Sequence, residues 1–485
     1  MSEINKLNPR ILWTYFDQIL KIPRPSGHEE NIRNFLIEFA KQQHLEYQTD
    51  PTGNLVIRKP ATKGINTKKG MVLQSHMDMV GEKNSGSSHD FLKDPIQGYI
   101  DGTWIRARDT TLGADDGIGI AAQMAVLASD DLVHGPLECL FTIEEETGLK
   151  GAFGLQKDFI HYQTLLNLDS EDEGELFIGC AGGSDLSAWF EYDTEPTPLD
   201  HKSIQLQISG LIGGHSGDDI HKGRANSIII LTRFLYDYGD KLGIRVHKFE
   251  GGNLRNAIPR EARAIITVPG EKVESLISHF AAFHQIIRNE YQRTDPGIEM
   301  HSRSVEPVKQ VILRDVQKRL LMSLYACPHG VISWSQQMPD MVETSTNLAS
   351  LTCKDHKILI GTSQRSSLDS AKSYISHKVE NTFLLAGAKT KRSGFYPGWE
   401  PNPDSEIVKI TAGAYQSLFS TQPVIRAIHA GLECGLFLET YPDLDMVSFG
   451  PTIKGAHSPD ERLDIESTIK FWNLLVEVLK RSASY

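Results

Sequence analysis

The sequence predicts an α/β protein with a mostly parallel central sheet, interrupted by an inserted α+β block. Three observations carry that prediction. Up to about residue 186, helical patterns alternate with short apolar runs, as expected when parallel strands are joined by crossover helices. From about residue 187 the texture changes to strands with one wet face and longer amphipathic helices. After about residue 390 the first pattern returns. The expected boundaries are 1–186 and 391–485 for the interrupted domain and 187–390 for the insert.

The elements follow in order. Ile11, Leu12, Tyr15, Phe16 and Ile19 recur at helical spacing. Pro23, Pro25, Ser26 and Gly27 end that helix, and Ser26-Gly27-His28-Glu29 is expected to cap the next one. Strands are expected at 54–58, 71–75, 136–143 and 164–168, and Gly113-Ala114-Asp115-Asp116-Gly117 opens a helix. In the insert, strands are expected at 202–210, 262–268, 345–352 and 356–362, with helices at 222–241, 271–292 and 367–385. Gly394-Phe395-Tyr396-Pro397-Gly398-Trp399 reads as the return linker. Helices at 404–419 and 431–438, a strand at 444–449 and an amphipathic helix at 464–480 complete the chain. No internal repeat or low-complexity tract is evident.

A chain of 485 residues is long enough for two or three domains. With 62 acidic and 50 basic residues the formal charge is −12, which argues against nucleic acid and anionic membrane as partners. The five cysteines, Cys139, Cys180, Cys327, Cys353 and Cys434, show no C-x-x-C spacing and read as buried reduced thiols, hence a reducing compartment. The first residues carry no apolar core of a signal peptide, and no apolar run reaches the ~18 residues of a membrane span. The expected location is the cytoplasm.

The chemistry is concentrated just past the ends of the apolar runs. Ser75-His76-Met77-Asp78 follows Met71-Val72-Leu73. Glu144-Glu145-Glu146-Thr147-Gly148 follows Leu140-Phe141-Thr142-Ile143, and Asp169 follows Thr164 to Leu168. Ligands of such sheets bind at the carboxyl ends of the strands. Taken singly, each signal has an ordinary reading: a solvated strand-end histidine, an acidic turn, a helix cap at Asp115-Asp116. Taken together, an imidazole and several carboxylates converging in one domain suit a metal site, Zn²⁺ best. A dinuclear hydrolase needs a bridging carboxylate, further carboxylates, two imidazoles and a general base. His76, Asp115 as the bridge, Glu146 and Asp169 are the candidates, and His457 in Gly455-Ala456-His457-Ser458-Pro459-Asp460 supplies the second imidazole. Glu145 can act as the base, and Asp78 can accept the free ring N–H of His76.

The order H-M-D, G-A-D-D-G-I-G, E-E-x-G, N-x-D-S-E and G-x-H-S-P resembles the M20 family of dinuclear zinc peptidases. Within that family the chain is similar to the bacterial cytosolic aminoacyl-histidine dipeptidases. The resemblance runs the length of the chain. It includes K-D-P-I-Q-x-Y-I-D-G at 93–102, G-C-A-G-G at 179–183, G-G-H-S-G at 213–217, R-N-A-I-P-R-E-A at 255–262 and H-A-G-L-E-C-G-L-F at 429–437. It implies hydrolysis of Xaa-His dipeptides, including β-Ala-His, by a zinc-activated water. It implies two Zn²⁺ held by His76, Asp115, Glu146, Asp169 and His457, with Co²⁺ or Mn²⁺ as substitutes. Glu145 is then the general base and Asp78 the acid that orients a ligand. It makes 187–390 a lid domain, in which His215 stabilises the oxyanion and Asn256 and Arg365 hold the substrate. It also implies a homodimer and a cis peptide after Asp115. One departure stands out: Glu144 occupies a position where close relatives often carry Thr, so Thr147-Gly148 alone sets the register of the acidic run. The alternatives are a broader dipeptidase, tripeptidase or aminoacylase on the same scaffold, a non-catalytic binding scaffold, and a cysteine peptidase using Cys434. No ligand or base is missing, which disfavours the scaffold, and Cys434 reads as structural.

Overall fold

The computed structural model describes residues 3–67 and 69–483. The chain packs as two compact units. The first comprises residues up to Gly179, Trp399–Ala427 and the chain from Leu432, and the second comprises Cys180–Gly398 with Ile428–Gly431. The boundaries expected near 187 and 390 both fall inside strands, Gly182–Glu191 and Lys389–Tyr396. Gly182–Glu191 alternates buried with half-buried residues and Lys389–Tyr396 is half-buried to exposed, so neither strand shows a break in pattern at the expected boundary.

The first unit is organised on an eight-stranded sheet. Its order is Glu46–Thr49, Leu55–Lys59, Leu137–Thr142, Met71–His76, Thr164–Asn167, Asp445–Ser448, Glu175–Cys180 and Val424–Ile428. The four central strands, from Leu137–Thr142 to Asp445–Ser448, run parallel. Leu55–Lys59 and Glu46–Thr49 extend one side antiparallel, and Glu175–Cys180 pairs antiparallel on the other. The expected parallel sheet is therefore the centre of a mixed one. Met71–His76 and Leu137–Thr142 are buried at every residue, as apolar runs covered on both faces must be. The helix Ala114–Ala128 is apolar nearly all round and buried from Asp116 to Leu127. His76 lies opposite Thr142, Gln74 opposite Asn167, and Ser448 beside Asn167. That register brings the carboxyl ends of all four parallel strands to one edge.

The second unit is built on a nine-stranded sheet. Glu299–Ser304, His201–Ser209, Ala262–Pro269, Arg245–Gly251, Val342–Lys354, Lys357–Ser366, Gly182–Glu191 and Lys389–Tyr396 lie in that order, and Gly330–Trp334 pairs with Val342–Lys354. Every resolved pairing is antiparallel. The helices Ser227–Leu242, Val273–Glu290, Arg314–Ala326 and Asp369–Leu385 bury their apolar faces in one cluster with it. Ser227–Leu242 is capped by Asn226, whose side chain accepts the N–H groups of Ile228 and Ile229.

Two local expectations need correction. The helix Glu30–Gln42 has no side-chain N-cap, because the Ser26 hydroxyl donates instead to Asp78 Oδ2 at 2.8 Å. Residues 394–396 are not linker but the end of the strand Lys389–Tyr396. Among the described residues, no helix is long and apolar enough to cross a membrane.

Candidate metal centre

The candidate side chains of the first unit reach the common strand edge from strand ends, turns and the start of a helix. His76 is the last residue of its strand and is buried. Glu145 and Glu146 follow Leu137–Thr142 after a turn in which Glu144 adopts φ +47°. Asp169 follows Thr164–Asn167. His457, at φ +62°, stands in the loop beyond Asp445–Ser448. Asp115 reaches the edge from above: Gly113 sits at φ +70°, and Asp115 and Asp116 depart from helical geometry before the helix proper begins. A Cβ on Gly113 would stand 2.7 Å from Met79 Sδ and 2.9 Å from Arg24 Nη2, so any side chain here would have to displace both. The Asp115–Asp116 peptide is cis.

These residues meet. Asp115 Oδ1 lies 3.0 Å from His76 Nε2, and Asp115 Oδ2 lies 3.1 Å from His457 Nε2. Asp169 Oδ1 is 3.3 Å from His76 Nε2, and Glu146 Oε2 is 2.9 Å from His457 Nε2. Asp115 thus joins two half-sites, His76 with Asp169 and His457 with Glu146. Atoms of His76, Asp115 and Glu146 lie within 4.8 Å of one another, close enough to share an ion. Asp78 is wholly buried and accepts the N–H groups of Glu145 at 3.0 Å and Glu146 at 3.2 Å. Its Oδ1 is 3.4 Å from His76 Nδ1. One carboxylate therefore fixes the acidic turn and stands behind the imidazole.

The donor set fits divalent cations. Among the described residues, no Lys or Arg side chain forms an ion pair with Asp115, Glu146 or Asp169, and Glu146 Oε1 is buried without a partner. Burial and the neighbouring carboxylates push Asp169 up to about 7 and Glu171 up to about 8. Burial raises Glu145 well above the usual carboxylate range, and Asp169, Glu433 and Glu146 add to this against the opposing charge of His76. Bonds to Asp115 and Glu146 raise the His457 imidazole to about 11. Burial opposes a charge on His76, but Asp169, Asp115 and Asp78 together hold it well above its ordinary value. Buried negative charge of this density calls for cations. Two imidazoles and three carboxylates suit Zn²⁺ and its neighbours in hardness.

A polar layer runs beneath the site, and the sequence reading missed it. Glu433 Oε2 accepts Gln74 Nε2 and Thr142 Oγ1, each at 2.7 Å. Gln74 in turn accepts Asn167 Nδ2, and Asn167 accepts Ser448 Oγ. Each parallel strand contributes one member, so the layer fixes the strand ends relative to one another. Burial pushes Glu433 up to about 8. Arg24, 2% exposed, donates to the carbonyls of Met77, Asp78 and Gly113. Glu461 was also missed, although it follows His457 closely in the same polar loop.

His215, Asn256 and Arg365 lie in the second unit. His215 belongs to the two-residue strand Gly214–His215, which pairs with Ala257–Ile258, and the next N–H, of Ser216, donates to Asn256 O at 2.7 Å. His215 Nδ1 accepts the N–H groups of Gly217 at 3.3 Å and Asp218 at 3.2 Å, which leaves its proton on Nε2 as a donor. Burial and the Arg365 charge lower its pKa. Arg365 is buried and donates to Tyr396 Oη at 3.1 Å. Cys139, Cys180, Cys327 and Cys434 are buried and Cys353 partly so.

Comparison with known proteins identifies the family. The model of peptidase family M20/M25/M40 matches residues 72–481. The chain is 46% identical over 480 residues to the cytosol non-specific dipeptidase of Escherichia coli K12, covering 99% of both chains. It superposes on the crystal structure of aminoacylhistidine dipeptidase from Vibrio alginolyticus with a TM-score of 0.92 at 45% identity, over 99% of this chain and 98% of that one. A Staphylococcus aureus tripeptidase shares the fold, with a TM-score of 0.57 at 17% identity over 99% of this chain and all of that one. By family match, full-length identity and fold alike, the chain belongs to peptidase family M20/M25/M40.

Proposed function

We propose that this protein is a zinc-dependent dipeptidase that hydrolyses Xaa-His dipeptides, β-Ala-His among them. The observation that carries the reading is the convergence of His76, Asp115, Glu146, Asp169 and His457 on one strand edge, in a chain alike over its whole length to two dipeptidases. His76 and Asp169 would hold one ion and His457 and Glu146 the other, with Asp115 between them. Bound zinc supplies Lewis acidity to a water and to a peptide carbonyl.

The chain's own groups do the rest. The Glu145 carboxylate takes a proton from the attacking water and returns it to the leaving amine nitrogen. Asp78 holds the Glu145-Glu146 turn and orients His76. In the second unit, read as the lid at 187–390, His215 would donate its Nε2 proton to the oxyanion, and Asn256 and Arg365 would hold the substrate. No covalent intermediate is required. We propose further that the protein is a homodimer and acts in the cytosol, where the Escherichia coli relative is named as acting.

A second reading is hydrolysis of dipeptides at large, or of tripeptides or N-acyl amino acids. The non-specific activity in the name of the Escherichia coli relative favours the first of these. Zinc-loaded protein assayed on β-Ala-His, Ala-His, Leu-Ala, Ala-Ala-Ala and N-acetyl-alanine separates the readings. Preference for the two histidine dipeptides supports the proposal, equal turnover of Leu-Ala supports the broader dipeptidase, and no peptide cleavage refutes both.

A further inference from the structure

One buried side chain ties together the two loops that meet at Asp115, and the reaction scheme makes no use of it. Glu461 is 2% exposed. Its Oε2 accepts the N–H groups of Leu112 at 2.7 Å and Gly113 at 2.9 Å. Its Oε1 accepts those of Ala114 at 2.7 Å and, more weakly, Asp115 at 3.4 Å. Four successive backbone donors thus converge on one carboxylate, a nest of the kind that otherwise binds free anions. The last donor belongs to Asp115, whose oxygens face His76 and His457.

The other end of the tie is equally short. Glu461 follows His457 by four residues. Its own N–H donates to Ser458 O at 3.0 Å, and Ser458 Oγ donates to Gly455 O at 2.7 Å. The segment from Gly455 to Glu461 is therefore closed by its own bonds. On the far side of the Asp115 loop, Arg24 donates to the Gly113 carbonyl and to those of Met77 and Asp78. The Asp115 loop is held between Glu461, on the His457 side, and Arg24, on the His76 side.

We propose that Glu461 is a positioning residue whose carboxylate fixes the Leu112–Asp115 loop against the His457 segment and so sets how Asp115 is shared between the two half-sites. The proposal rests on the reading of those half-sites as metal ligands. A carboxylate that served folding alone would affect stability and leave the metals untouched.

The test uses the full-length protein, stripped of metal and titrated with Zn²⁺, with Co²⁺ as a spectroscopic probe. Glu461→Gln keeps the volume but turns an amide N–H₂ toward two of the four donors. Glu461→Asp keeps both oxygens and withdraws them by one methylene. In Glu461→Gln, zinc affinity should fall roughly 10–100-fold and the visible spectrum of bound Co²⁺ should change. Its kcat should fall by about tenfold or more while KM stays within about twofold. A folded Glu461→Gln with the zinc affinity and Co²⁺ spectrum of the wild type overturns the proposal, whatever its melting temperature. If that variant does not fold, Glu461→Asp is judged by the same two signals in the same way. A wild type that binds no zinc overturns both the metal-site reading and this proposal. A wild type that binds zinc beside indistinguishable variants overturns this proposal alone.

Discussion

Replacing Arg24 by Met should destabilise the first unit severely, and the structure gives the scale. The guanidinium is fully enclosed and donates to three carbonyls, those of Met77, Asp78 and Gly113. Burial opposes its charge, and Asp78, Glu461, Asp116 and Asp115 favour it. Cβ atoms placed on Gly113 and Gly117 would stand 2.9 and 2.7 Å from Arg24 Nη2, so the head group fills its niche against two glycines. Met reproduces the stem but no donor. The carbonyls of Met77 and Asp78 lose this donor, that of Gly113 keeps only the Gly117 N–H at 3.2 Å, and four nearby carboxylates lose their cation. A hydrogen bond to a charged group contributes about 1.5–3 kcal/mol, but bonds from one side chain do not add. Breaking a buried charge arrangement by removing one partner costs about 3–5 kcal/mol, and that range is the expected loss. For a unit of this size it corresponds to a fall in Tm of roughly 10 °C. Arg24→Lys keeps the charge without the fork and should lose less. Thermal unfolding of metal-free protein, followed by circular dichroism, reads both. A shift below about 3 °C for Arg24→Met would refute the claim that this buried cation holds the loops of the site together.

Other perturbations separate the remaining roles. Glu145→Gln should retain zinc while kcat drops roughly 10²–10⁴-fold, whereas Glu146→Gln should lose zinc. Metal analysis beside kcat tests the register of the acidic run, and the reverse pattern would exchange base and ligand. His215→Ala should lower kcat by roughly 10²–10³-fold with zinc content unchanged, and a rate within twofold of wild type would remove it from the mechanism. His429 is buried, its Nε2 lies 2.7 Å from Ser345 Oγ, and burial with the Arg365 charge lowers its pKa to about 3. The unfolded chain takes up this proton near pH 6.5 and the folded chain only near pH 3. The neutral imidazole's contribution is therefore complete above pH 6.5 and is lost as pH falls through that window, at up to about 1.4 kcal/mol per pH unit. Urea unfolding of His429→Gln between pH 6.5 and 4 should show a slope shallower by one proton, and an unchanged slope would contradict the assignment.

The parts of this fold that were legible in the sequence are those that depend on local pattern. Met71-Val72-Leu73 and Leu140-Phe141-Thr142-Ile143 announce buried strands, and the residues just beyond them are the ones the register brings to the common edge. The strands Arg245–Gly251 and Gly182–Glu191 were not read, because glycines and polar residues that the fold buries or half-buries stand where an apolar alternation would be looked for. Arg24, between two prolines, looks like a solvated turn residue, and Glu461 in a Pro-Asp-Glu run looks like surface charge. Their burial is decided by partners up to 349 residues away. Glu433 was passed over for a similar reason: its meaning lies in Gln74 and Thr142, which no spacing within its own helix reveals. Local sequence marks which groups can do chemistry, while the groups that hold them in place are defined only by tertiary contact.

His76, Asp169, Asp115, Glu146 and His457 are proposed to form one site for two divalent ions, shared through Asp115. The most direct test is a zinc titration of metal-free protein by calorimetry, with bound zinc counted by atomic emission, for the wild type and for Asp115→Asn. Two equivalents of zinc are expected in the wild type, with dipeptide hydrolysis appearing as they bind, and loss of both tight binding and hydrolysis in Asp115→Asn. One equivalent or none in an active wild type, or two tightly held ions in Asp115→Asn, would contradict the shared site.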